Sequence, residues 1–94
     1  MSNSNFLCVA VFTAKENQEQ RLLKELNFLV EKTVQESGCI SYELFTSHTN
    51  PSKVLVHEVY KSEEDFKVHT GSDYLQSFIK KAPDLIEHSD VKTA

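Results

Sequence analysis

The sequence predicts an α+β domain: a four-stranded antiparallel sheet with helices on one face, in the order β-α-β-β-α-β. Three observations lead there. A continuous apolar run occupies residues 6–12, leucines recur at helical spacing through residues 22–29, and two strand-like runs flank a turn-forming segment at residues 48–52. A chain of 94 residues has room for one core, so residues 1–94 read as a single domain.

The first strand is expected from Asn5 to Thr13. Phe6, Cys8, Ala10 and Phe12 point one way and Leu7, Val9 and Val11 the other, so both faces are apolar. One layer of helices covers only one of them. Asn17 followed by Gln20 signals the start of a long helix ending near Ser37, with Gly38 placed for a left-handed cap. Leu22, Leu26, Leu29, Val30 and Thr33 form its inward stripe, while Arg21, Lys24, Glu31 and Gln35 face out. Phe28 falls on the charged side, either as a stray exposed ring or as a partner contact.

Cys39–Ser47 and Lys53–Lys61 read as a hairpin around His48, Thr49, Asn50, Pro51 and Ser52. Ser62 with Asp65 starts a short helix that passes His69 and stops at Gly71. Ser72 restarts a helix with Leu75, Phe78, Ile79 and Ala82 at i, i+3, i+4 and i+7, and Pro83 limits its continuation. Leu85–Ala94 is a weak fourth strand. This is the ferredoxin-like order with its second helical region split at Gly71-Ser72. The topology leaves one sheet face bare, and two sheets packed face to face would close it, so a homodimer is expected. The size agrees, since a domain this small buries only about 60% of its unfolded surface.

A formal net charge of -4 disfavours nucleic acid and anionic membrane as partners. Met1-Ser2-Asn3-Ser4-Asn5 carries no basic leader, and Phe6–Phe12 is too short for a signal core or a span, so a soluble cytoplasmic protein is expected. Cys8 and Cys39 form no CxxC or zinc spacing and read as reduced, structural residues. No HxH or HxxxH pair occurs among His48, His57, His69 and His88, so no metal site is expected. Gly38 and Gly71 are the only glycines, which leaves no phosphate loop or dinucleotide fingerprint and predicts no cofactor.

Glu36-Ser37-Gly38-Cys39-Ile40-Ser41-Tyr42, then Glu58-Val59-Tyr60, then His69 nine residues on, resemble the antibiotic biosynthesis monooxygenase (ABM) domain family. The likeness runs from the first strand to the third helix. It implies a dimeric α+β barrel holding a small organic substrate between sheet and helices. Some members of the family are cofactor-independent monooxygenases of phenols or quinols, one branch degrades haem, and another isomerises the phosphorylated autoinducer-2 signal. The haem branch has Trp where this chain has His69, an iron-ligating His where it has Ile79, and an Asn in the first strand, which Phe6–Phe12 lacks. Haem is therefore not the expected substrate. The polyketide-oxidising members also use a Trp, and this chain has none. Glu58-Val59-Tyr60-Lys61 with His69 resembles most the autoinducer-2 phosphate isomerase and its quinol-oxidising relatives.

Glu58 shares a strand face with Val54, Val56 and Tyr60, where a carboxylate needs either a partner or a task. Burial would raise its pKa and suit it to proton transfer, while a structural anchor is the plainer alternative. His69 shares a helix face with Phe66 and is the best acid or base in the chain, unless it is a core-edge histidine bonded to Glu58. Tyr42, Tyr60, Phe66 and Phe78 are the candidate substrate-lining residues. The expected activity is a cofactor-independent monooxygenation of a small quinol, phenol or hydroxyketone. An isomerase of the autoinducer-2 phosphate type, or a non-catalytic small-molecule binder, is the alternative.

Overall fold

A computed structural model describes residues 4–94; Met1, Ser2 and Asn3, part of the segment read for a leader, lie outside the described residues. Alternation along β1 (Phe6–Ala14) sets the two faces of the sheet: Cys8, Ala10 and Ala14 are buried, and Leu7 opposite them is exposed. β1 pairs antiparallel with β3 (Lys53–Tyr60) on one side and with β4 (Ile86–Thr93) on the other, and β2 (Cys39–Thr46) lies outside β3, giving the order β2-β3-β1-β4. Three helices, α1 (Glu19–Thr33), α2 (Glu63–Thr70) and α3 (Asp73–Leu85), complete a β-α-β-β-α-α-β chain with the ferredoxin-like arrangement. No helix among the described residues is long and apolar enough to cross a membrane.

Leu22, Leu26 and Leu29 of α1 are buried against Ala10, Val54, Val56, Phe78 and Leu85. Each such leucine contributes about 1.5–3 kcal/mol by leaving water. α1 differs from expectation at both ends. Gln18, not Asn17, holds the cap position and makes no side-chain cap bond, while Asn17 takes a left-handed backbone at φ 68°, which Asn tolerates better than most residues. The helix stops at Thr33, where β-branched Thr33 and Val34 precede tight turns closed by Gln35 N–H to Lys32 and Glu36 N–H to Thr33. Gly38 is therefore no left-handed cap, and its φ is negative. Glycine is needed there for space, because a Cβ would overlap the Asp65 side chain of α2.

The two short helices obey their capping signals. Ser62 Oγ accepts from the Asp65 N–H at 3.2 Å, and Ser72 Oγ accepts from the Leu75 N–H while donating to the His69 carbonyl at 2.7 Å. Ser72 thus ties the end of α2 to the start of α3. Pro83 does not limit α3, which continues to Leu85. It sits in the exposed last turn, where its missing N–H costs a single bond to the carbonyl four residues back. Ile79, assigned to the inward stripe, is half exposed. β4 is paired with β1 from Cys8 to Ala14, and its weak pattern reflects an edge strand whose side chains are mostly exposed.

The far face of the sheet carries Leu7, Val9 and Val11 of β1, Leu55 and Val59 of β3, and Phe45 of β2, with Leu7 37% and Phe45 51% exposed. No described element of the chain covers it. Phe28 on α1 is likewise exposed, with the Lys32 ammonium 5.5 Å from its ring centre.

Candidate active site

Strand alternation brings Glu58 to the helix-covered face of β3, between Val56 and Tyr60, where 6% of its surface remains exposed. Its cross-strand neighbours are Cys8 on β1 and Tyr42 on β2. The Tyr60 hydroxyl donates to Glu58 Oε1 at 2.7 Å. Burial is the main cause that pushes the Glu58 carboxyl above its ordinary range; the Tyr60 bond, His69 and the Cys8 thiol pull it back down. Burial also raises both tyrosine hydroxyls, Tyr42 and Tyr60, so they stay protonated.

His69 reaches the same place from α2 and is 2% exposed. Its Nδ1 lies 3.0 Å from Glu36 Oε2 and its Nε2 lies 3.7 Å from Glu58 Oε1, too long for a direct hydrogen bond. The bonded partner of His69 is thus Glu36 and not Glu58. Four aromatic rings surround the imidazole, with centroid separations of 5.7 Å to Tyr42, 5.4 Å to Tyr60, 6.2 Å to Phe66 and 6.5 Å to Tyr74.

Between sheet and helices lies a cavity of about 510 Å³, a size that fits a small organic ligand. Glu58, His69, Tyr42, Phe66 and Phe78 line it, five of the six residues singled out from the sequence. Tyr60 does not line it: fully buried, it stands behind Glu58 and packs edge-on against Phe66 at 5.3 Å. Cys8, read as plain core, also faces the cavity beside Glu58. Burial lifts the Cys8 thiol to about 12 and the Cys39 thiol to about 11, which keeps both protonated and unreactive. Among the described residues the carboxylate side chains on the wall are Glu58 and Glu87, and no Lys or Arg lines it.

Glu36 and Tyr74 were given no role in the sequence reading. Glu36 appeared there only within the family motif, and Tyr74 not at all. Their contacts with His69 and with one another span 33 and 38 residues, so no local periodicity could reveal them. Among the described residues no group of three or more His, Cys, Asp or Glu side chains is arranged to hold a metal ion.

The family model for antibiotic biosynthesis monooxygenases matches residues 5–81, the stretch that carries this whole arrangement up to the middle of α3. The chain belongs to the ABM family. Protein SO0527 from Shewanella oneidensis, a solved structure, superposes with a TM-score of 0.94 at 32% identity, covering 99% of this chain and 91% of that one. Protein PA3566 from Pseudomonas aeruginosa superposes with a TM-score of 0.93 over 100% of this chain and 94% of that one, and at 20% identity it speaks for the fold alone. The uncharacterized protein sll1783 of Synechocystis is 26% identical over 72 residues, 77% of this chain and 49% of its own length. The ABM chain spans about half the length of the curated relatives it matches.

Proposed function

We propose that this ABM-family chain is a cofactor-independent monooxygenase of a small, uncharged quinol, phenol or hydroxyketone. The observation that carries the reading is a buried carboxylate with a raised pKa, Glu58, facing His69 on the wall of a largely apolar cavity. A proton acceptor at this wall, His69 or Glu58, matches the first chemical need, removal of an O–H or activated C–H proton. The resulting anion gives one electron to molecular oxygen, and the two radicals join in a C–O bond. Protonation makes a hydroperoxide, and loss of water with the remaining C–H proton leaves a carbonyl. One oxygen atom ends in the product and the other in water, so the substrate and O₂ balance without a further reductant. Phe66, Phe78 and Tyr42 would hold the ring of the substrate, while Tyr60 keeps Glu58 in place from behind.

An isomerase would share the proton-abstraction step and return the proton elsewhere without consuming oxygen. The absence of Lys and Arg from the cavity wall counts against a phosphorylated substrate for this subunit's site. Oxygen uptake and ¹⁸O₂ incorporation across a panel of quinols and phenols test the reading, with His69→Ala and Glu58→Ala as controls. Expected are uptake and one labelled oxygen in the product, both lost in the two variants. Turnover without oxygen loss would favour the isomerase. Ligand-induced thermal stabilisation without any turnover would leave a binding protein and refute the enzymatic reading.

The uncovered apolar face formed by Leu7, Val9, Val11, Leu55, Val59 and Phe45 supports a homodimer built face to face through the sheets. A net charge of -4 supports a protein that leaves nucleic acid and anionic membrane alone.

A further inference from the structure

We infer that Glu36 is the positioning residue that decides which nitrogen of His69 is left free to accept a proton at the cavity; the role rests on the reading of His69 as a base. Glu36 sits in the turns between α1 and β2, and its backbone is fixed on both sides: its N–H donates to Thr33 and its carbonyl accepts from Cys39. The side chain is 11% exposed and points at α2 and α3. One carboxylate oxygen, Oε2, takes both the Tyr74 hydroxyl and the contact with His69 Nδ1, while Oε1 is buried with no partner.

This arrangement leaves one assignment of hydrogens. Burial and Glu36 together hold the Tyr74 hydroxyl at about 12, so Tyr74 donates and Glu36 accepts. Oε2, which already accepts from the Tyr74 hydroxyl, accepts again here, so His69 Nδ1 carries the hydrogen in the 3.0 Å contact. In the neutral ring the lone pair is then on Nε2. Nε2 is the nitrogen that faces Glu58 across 3.7 Å, and Glu58 lines the same cavity as His69. The four rings around the imidazole offer no competing acceptor for Nδ1 within their carbon frames. Glu36 therefore turns His69 from a ring of undefined tautomer into one that presents a base to the ligand.

The test is long-range ¹H–¹⁵N correlation on the ¹⁵N-labelled full chain, followed through a pH series to the neutral ring, with His69→Asn to assign the signals. The expected wild-type spectrum shows Nδ1 protonated and Nε2 pyridine-like. Glu36→Gln, whose amide can donate as well as accept, is expected to raise the share of the Nε2-protonated tautomer several-fold. A wild-type ring protonated at Nε2 overturns the inference, and this measurement stands even if the variant fails to fold. An unchanged tautomer ratio in Glu36→Gln overturns it too. Tyr74→Phe is expected to leave the ratio alone, and a switch there would transfer the role to Tyr74. On a substrate found by oxygen uptake, Glu36→Gln is expected to lower kcat by roughly 10²-fold with KM unchanged. A switched ring with full turnover would keep Glu36 as the tautomer's determinant and overturn His69 as the base instead.

Discussion

Replacing Tyr60 by Phe removes one oxygen from the most deeply buried side chain of the site and leaves the ring contacts with Phe66 and His69 in place. What is lost is the 2.7 Å bond to Glu58. A hydrogen bond to an ionised partner is worth about 1.5–3 kcal/mol, and one between neutral groups about 0.5–1.5 kcal/mol. The cost of Tyr60→Phe should therefore depend on the charge of Glu58. The sign follows from linkage. Burial raises Glu58 in the folded protein, so the native state holds its proton to higher pH than the unfolded chain, and stability falls as pH rises through that window. The Tyr60 bond opposes the rise, so its removal lifts Glu58 further and deepens the fall. Urea unfolding of both proteins across a pH series is the assay. The difference should be small at acid pH, where Glu58 is neutral in both proteins, and should grow to the larger value once Glu58 is ionised. For a domain of this size each kcal/mol corresponds to about 4–8 °C in Tm. A difference that is constant across the series, or absent, would refute the placement of a titrating carboxylate against the Tyr60 hydroxyl.

Three other outcomes are expected. Glu58→Gln should remove the native-state pH dependence just described, so its stability relative to wild type should improve as pH rises above the ordinary carboxylate range; a parallel pair of pH profiles would contradict this. Leu26→Ala, in the centre of the α1 stripe at 1% exposure, should cost about 2–5 kcal/mol in denaturant unfolding without altering the urea slope, and a loss under 1 kcal/mol would argue against that packing. Val11→Asp places a charge in the middle of the uncovered sheet face; under the proposed face-to-face pairing, light scattering should show a dimeric wild type and a monomeric variant, while an equal mass for both would remove that face from any interface.

The fold was legible because its signals are local. Alternation in β1 and β3, the leucine stripe of α1, and the serine caps at Ser62 and Ser72 all act within a few residues, and each element formed where they predicted. Element ends were less legible. Pro83 and Gly38 are usually read as stops, yet Pro83 rides in the exposed final turn of α3, and Gly38 answers to Asp65 of α2, beyond two intervening strands. Glu58 could be found because a carboxylate interrupts an apolar strand face. Glu36 and Tyr74 could not, since their meaning arises only when the turn after α1 closes against α2 and α3.

The buried titratable groups and the more exposed lining of the cavity belong to different parts of the chain. Glu58, Tyr60, His69 and Glu36 are gathered where β3, α2 and the turn after α1 converge, whereas Leu75, Ile79 and Pro83 of α3, with Glu87 and Val91 of β4, form the far wall. Several of those wall residues are solvent-exposed and carry little of the core. Exchange of side chains along α3 and β4 can thus reshape the cavity while the contacts among Glu58, Tyr60, His69 and Glu36 stay as they are, giving one scaffold room to vary by small steps.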